Sequence, residues 1–208
     1  MSETHLEQVR RLFDYWAEGG YAEAMERDYW PVARHAFEKI GLRPRQRFLD
    51  VGCGNGYACR WAVEAGALAF GIDGSPRMVE RAKRASEKIQ GLEFRRGFFP
   101  ADFLKPRSYD VVFAMESMYY MPDVPIALKS IYDLMVPGGT FINVVSYYWE
   151  NPASHDWPRQ SGVPMVMATE EQWAQAVTGA GLVLMGQEKI FNGPGAGSLL
   201  LLGRKPAG

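Results

Sequence analysis

The sequence predicts an α/β fold, a mostly parallel sheet between layers of helices. Three observations carry that prediction. From residue 47 onward, short apolar runs alternate with amphipathic stretches, the pattern of parallel strands joined by helical crossovers. The run Phe48-Leu49-Asp50-Val51 passes into Gly52-Cys53-Gly54-Asn55-Gly56, with glycines at alternate positions. Glycine there permits a sharp turn and the close approach of a ligand. The next apolar run, residues 67–72, ends on Asp73. A strand, a glycine turn, a helix and a second strand ending in a carboxylate describe a nucleoside-binding βαβ unit.

The other elements follow in order. Leu6, Val9, Leu12, Phe13 and Trp16 fall at helical spacing over residues 4–18, and Gly19-Gly20 ends that helix. A short helix is expected over residues 21–27. A third starts at Asp28-Tyr29-Trp30-Pro31, with Pro31 in its first turn and Gly41 at its end. Ala33, Ala36, Phe37 and Ile40 line one face of it, and His35 lies off that face. Residues 48–51 are apolar enough for a strand covered on both sides. The helix after the glycine turn spans residues 57–65 and stops at Gly66. Ser75 as N-cap and Pro76 at the first helical position open a helix to about residue 90, with Arg77, Arg81, Lys83, Arg84 and Lys88 on a solvated face. Residues 92–95 and 109–115 are the third and fourth strands. A helix over residues 124–135 turns through Val136-Pro137-Gly138-Gly139 into a fifth strand over residues 140–146. Residues 147–168 are a long aromatic loop, the kind that carries function. Thr169-Glu170-Glu171-Gln172 is a capping box that starts the last helix. Residues 183–191, a Gly-Pro-Gly turn and residues 198–202 form a terminal hairpin.

The spacing narrows the ligand. A pyrophosphate fingerprint reads G-x-G-x-x-G. Here the order is Asp50-x-Gly52-x-Gly54-x-Gly56, with the third glycine one residue early. A carboxylate before the first glycine would repel a diphosphate and suits an ammonium group. This stretch, with Asp73, resembles motif I of the class I S-adenosylmethionine-dependent methyltransferases. Residues 116–123, ending in Met121-Pro122-Asp123, are similar to that family's segment after the fourth strand, with Tyr120 where histidine is usual. Leu134-x-x-Pro137-Gly138-Gly139 is similar to the small-molecule, sterol-methyltransferase-like members. The resemblance covers residues 47–146. It implies a Rossmann-like three-layer sandwich whose seven-stranded, mostly parallel sheet has the order 3-2-1-4-5-7-6 and an antiparallel last strand. It also implies a single domain over residues 1–208. Residues 1–45 would be a helical lid, 46–146 the cofactor core, and 147–208 the acceptor loop, helix and hairpin. The implied cofactor is S-adenosylmethionine, and its product S-adenosylhomocysteine.

On that resemblance Asp50 meets the methionine amino group and Gly52, Cys53 and Gly54 supply close backbone. Asp73 holds the ribose hydroxyls, with Gly74, Ser75 and Met78 beside it. Met115 and Glu116 line the cleft. Relatives often carry an acid after the glycine at Gly97; here Phe98-Phe99-Pro100 follows. Adenine contacts are therefore expected from Gly97, Phe98 and Phe99 by backbone and stacking, with Asp102 as a displaced substitute. Tyr29, Trp30, Tyr120, Tyr147, Trp149 and Trp157 are the expected acceptor-binding aromatics, suited to a small organic molecule with an apolar or cationic part. Tyr29 and Trp30 serve equally well as core aromatics. His155 and Tyr120 are the candidate catalytic groups, although in-line methyl transfer needs a base only when the acceptor must lose a proton early. No His, Asp or Glu set has metal spacing.

Composition bounds the rest. The 208 residues are 47% hydrophobic and 23% charged, ordinary for one soluble domain. The net charge of −1 gives no general case for nucleic acid or an anionic membrane. Residues 1–10 are polar and do not read as a signal peptide, and the apolar run 199–202 is too short to span a bilayer. Cys53 and Cys59 read as reduced thiols of a cytoplasmic protein, monomer or homodimer. Two other functions share these motifs: a nicotinamide-dependent oxidoreductase of Rossmann type, and a non-catalytic cofactor-binding subunit that supports a partner.

Overall fold

The computed structural model describes residues 4–191 and 195–208. Seven strands form one sheet: β1 (Arg47–Val51), β2 (Leu68–Asp73), β3 (Leu92–Arg96), β4 (Tyr109–Met115), β5 (Met135–Val145), β6 (Val183–Ile190) and β7 (Ser198–Arg204). Their order is β3-β2-β1-β4-β5-β7-β6. The pairs β1–β2, β2–β3, β1–β4 and β4–β5 are parallel, and β7 runs antiparallel to both of its neighbours. This is the expected sheet. The chain winds outward from β1 to β3, then returns to lay β4 on the other side of β1. The order therefore reverses between β1 and β4, and a crevice opens at their carboxyl ends.

The helices are α1 (His5–Glu18), α2 (Tyr21–Ile40), α3 (Tyr57–Glu64), α4 (Pro76–Ala85), α5 (Val124–Leu134), α6 (Trp157–Ser161) and α7 (Glu170–Gly179). Successive strand residues serve opposite layers. Leu49, Val51, Val112 and Phe141 pack with Leu128 and Ile131 of α5 and Trp173 and Val177 of α7. Phe48, Val111, Phe113 and Ile142 pack with Ala36 of α2, Ala58 and Ala62 of α3, and Ala82 of α4. Phe48, Leu49 and Val51 are fully buried, as a central strand covered on both faces requires.

Four element boundaries differ from the sequence expectation. The helix expected to break before Pro31 is instead continuous over Tyr21–Ile40, with Pro31 inside it. Proline removes one internal hydrogen bond, but Val32, Ala33 and Ala36 are buried on the sheet side and hold the helix through that point. Helix α4 ends at Ala85, not near residue 90, because the inward stripe Met78, Val79, Ala82 gives way to Ser86. Strand β5 starts at Met135 and runs through the Pro-Gly-Gly step, where the pairing with β4 shifts register between Tyr109 and Val111 and Gly138 has φ +75°. The long loop carries α6 and a 3₁₀ turn at Pro152–Ser154. The capping box forms as read: Thr169 Oγ1 accepts the Gln172 N–H at 3.1 Å, and Gln172 Oε1 accepts the Thr169 N–H at 2.9 Å. Gly193 and Pro194 of the expected hairpin turn lie outside the described residues. Among the described residues no helix is long and apolar enough to cross a membrane.

Candidate active site

The bend after β1 is stitched to β2. The N–H groups of Gly52 and Cys53 both donate to the Ile72 carbonyl, at 2.9 and 3.1 Å. Two glycines there have no substitute. Gly52 has φ +78°, and a Cβ on it would sit 2.5 Å from the Ser117 Cβ. Gly56 has φ +81°, and a Cβ would sit 2.4 Å from the Phe94 ring. A Cβ on Gly54, by contrast, would meet no protein atom within 4 Å, so the backbone there faces open space.

Two carboxyl groups flank this bend. Asp50 is 3% exposed, and its close polar contact is the Cys59 thiol, 3.8 Å from Oδ2. Burial first, and the neighbouring Asp73 charge second, push its carboxyl up to about 8. Asp73 ends β2 and accepts the N–H of Gly54 on Oδ2 at 2.9 Å and that of Ser75 on Oδ1 at 2.8 Å. Burial pushes Asp73 up to about 6, and those two hydrogen bonds oppose the rise. Ser75 caps α4 by accepting the Met78 N–H at 3.0 Å, and its hydroxyl donates to Asp14 of α1 at 2.6 Å.

Every residue expected to hold the cofactor, from Asp50 and Gly52 through Gly97, Phe98 and Phe99 to Glu116, lines one cavity of about 700 Å³. Of the expected acceptor residues, Tyr29, Tyr120 and Trp157 line it too. Tyr147 stands one layer behind, buried between Tyr119 at 5.6 Å and Trp157 at 6.3 Å. Trp30 and Trp149 are not brought to the cavity. Trp30 sits on the outer side of α2 against Trp61 of α3, ring centroids 4.5 Å apart. Trp149 is 60% exposed and lies beside His155, whose Nε2 is 2.8 Å from the Trp149 carbonyl oxygen. The 3₁₀ turn at Pro152–Ser154 carries His155 out to solvent, so it is not placed to act as a base. Asp102 is exposed and does not line the cavity, whereas Phe98, Phe99 and Met78 do.

Sequence reasoning missed several lining residues. Val9, Phe13 and Trp16 of α1 face the cavity; their helical stripe showed that α1 buries a face, but not against what. Asn55 lines it and donates to Glu26 of α2 at 2.7 Å. Glu116 has φ +53°, unusual for a residue with a Cβ. It accepts the hydroxyl hydrogens of Tyr119 on Oε2 at 2.9 Å and Ser146 on Oε1 at 2.8 Å. Burial pushes it up to about 7, against the pull of these two donors. No group of three metal-ligating side chains exists among the described residues.

A family described as "Methyltransferase domain" matches residues 21–186. The chain belongs to this methyltransferase family. A solved chain from the Haloferax volcanii complex between the Trm112 methyltransferase activator and a methyltransferase is similar over nearly its whole length: 32% identity, 93% of this chain and 97% of that one, TM-score 0.88. Sterol 24-C-methyltransferase of Pneumocystis carinii is 32% identical over 134 residues, 62% of this chain and 33% of that protein. Ubiquinone biosynthesis O-methyltransferase of Acinetobacter baumannii is 33% identical over 124 residues, 57% of this chain and 50% of that protein. The chain spans a third to a half of the curated relatives it matches. The methyltransferase cofactor, S-adenosylmethionine, fits the donor set present. Asp50 is a buried carboxyl with no cationic partner among the described residues, suited to an ammonium group. Asp73 has both oxygens anchored by backbone N–H groups, each keeping acceptor capacity for a ribose hydroxyl.

Proposed function

We propose that this chain transfers a methyl group from S-adenosylmethionine to a small organic acceptor. The observation that carries the reading is the pair Asp50 and Asp73 on either side of the glycine bend, opening into a single cavity. When bound, the cofactor would supply an electrophilic methyl whose bond to the sulfonium sulfur breaks as an acceptor lone pair attacks in line, the thioether leaving as S-adenosylhomocysteine. Asp50 holds the amino group, and Asp73 the ribose. Gly97, Phe98 and Phe99 enclose the adenine. Helix α1 and the start of α2 act as a lid, excluding water from a reaction whose charge disperses as it proceeds. Tyr29, Tyr120 and Trp157 frame the acceptor. Two buried free thiols support a reducing, cytoplasmic setting. The position of Asp50 disfavours a dinucleotide, and with it the oxidoreductase alternative.

The likeness to the Haloferax volcanii chain supports a second statement, that an activating subunit of the Trm112 kind assembles with this one. One experiment covers both. Purified chain is incubated with tritiated-methyl S-adenosylmethionine and a small-molecule extract, alone and with such an activator. Label should enter a low-molecular-weight product, more strongly with the activator. Label in no product under either condition contradicts the assignment.

A further inference from the structure

The cavity carries more acid than the cofactor uses. Resting on the methyltransferase reading, Asp50 and Asp73 are taken up at β1 and β2. A third carboxylate, Glu116, stands just past the end of β4, three residues beyond Phe113, which pairs with Asp50 across the sheet. It leans toward β5, where Ser146 donates to it. It is thus on the far side of the bend from Asp73. Both of its oxygens accept hydroxyl hydrogens, and no cationic side chain among the described residues pairs with it. Arg10, the cationic residue that lines the cavity, is already paired with Glu7 and Asp14. Glu116 also keeps a left-handed backbone (φ +53°), a conformation that costs stability and tends to mark a working position.

The surroundings are aromatic. Tyr29, Tyr57, Tyr119, Tyr120 and Trp157 line the cavity. The Glu116 charge reaches Tyr29 and Tyr57. Tyr119 bonds to Glu116 and packs on Tyr120 at 4.6 Å and beside Trp157 at 6.5 Å, and Met115 lies against the Tyr57 hydroxyl at 3.3 Å. Burial and the Glu116 charge hold the Tyr119 and Tyr120 phenols above their ordinary value, so they stay neutral. A carboxylate among neutral aromatic rings is a receptor for a cation.

We propose that Glu116 and these aromatic walls form the acceptor subsite, that its ligand is a protonated amine, and that nitrogen is the acceptor atom. The ammonium N–H bond breaks as a proton passes to the Glu116 carboxylate, giving a neutral amine and a carboxylic acid. The nitrogen lone pair is then free to react, and the proton leaves to water when the product departs. Burial of Glu116, which pushes it up to about 7, brings the carboxyl nearer to an amine and eases that exchange.

The test is calorimetric, on the full chain saturated with S-adenosylhomocysteine. The probes are 2-phenylethylamine and 2-phenylethanol, matched in size and differing in charge. The amine should bind about tenfold more tightly than the alcohol. Glu116→Gln, which keeps the size and one of the two accepted hydrogen bonds but carries no charge, should erase that preference. Its S-adenosylhomocysteine affinity is measured alongside, so that a change in cofactor binding is told apart from the loss of amine preference. Equal binding of the two probes by the wild-type protein, no amine binding at millimolar concentration, or a preference that survives Glu116→Gln overturns the proposal. The wild-type comparison stands whether or not the variant folds. S-adenosylhomocysteine binding without amine preference removes this inference alone. Failure of S-adenosylhomocysteine to bind removes the methyltransferase reading with it.

Discussion

Asp50 is buried with no cationic partner among the described residues, and on the proposed reading the ligand brings one, which ties binding to pH. Its carboxyl, at about 8 in the folded protein, lies well above the ordinary aspartate value. A raised folded-state value means the native chain holds a proton that the unfolded chain releases. The resulting stability is complete below the ordinary value near 4 and is lost as pH rises through about 8. Asp73, at about 6, and Glu116, at about 7, act in the same direction. The ligand-free protein should therefore melt at a lower temperature at pH 8 than at pH 5. An ammonium ligand requires the ionised form, so affinity for S-adenosylhomocysteine should rise between pH 6 and 8, by up to about tenfold per unit, with proton release on binding. Calorimetry in two buffers of different ionisation heat measures both, and Asp50→Asn should flatten the dependence. On the proposed reading, Asp73→Ala removes two charge-assisted contacts to ribose and should weaken S-adenosylhomocysteine binding by about 3 kcal/mol, roughly 100-fold. Unchanged affinity would contradict that role.

At the scale of elements, α1 is tied to α4 at the edge of the cavity. Asp14 accepts the Ser75 hydroxyl, the N-cap of α4, at 2.6 Å. Farther along, Arg77 pairs with Glu18 at 2.6 Å, and Arg81 pairs with Glu23 of α2. The last two pairs are half-exposed, where single ion pairs contribute little; the Asp14–Ser75 contact is more enclosed and ties α1 to the cap of α4. Asp14→Ala should loosen α1 without touching the sheet. Hydrogen exchange should quicken about tenfold over α1, in keeping with about 1.5 kcal/mol for a hydrogen bond to a charged group. Amides of β1 and β4 should exchange as before. Uniform acceleration through the sheet would mean that Asp14 supports the core and not the lid.

For the whole molecule, legibility followed the range of the interactions. The bend and its flanking acids could be read because they rest on local spacing: Asp50, three glycines and Asp73 lie within 24 consecutive residues. The sheet order followed from the family resemblance that those motifs carry. Pro31 misled because its local preference was overruled by Val32 and Ala36 packing beneath it. Trp149 and His155 misled because residue type suits them to a site, while a three-residue turn sends them outward. Asp14 and Glu26 were invisible, since their partners Ser75 and Asn55 are 61 and 29 positions away. What sequence spacing cannot supply is how α1 folds back over the cleft. The most direct measurement is a crystal structure grown with S-adenosylhomocysteine. The amino group should lie against Asp50 and the ribose hydroxyls against Asp73, with adenine beside Phe98 and Phe99. Density for the ligand elsewhere, or a diphosphate seated in the glycine bend, would contradict the account.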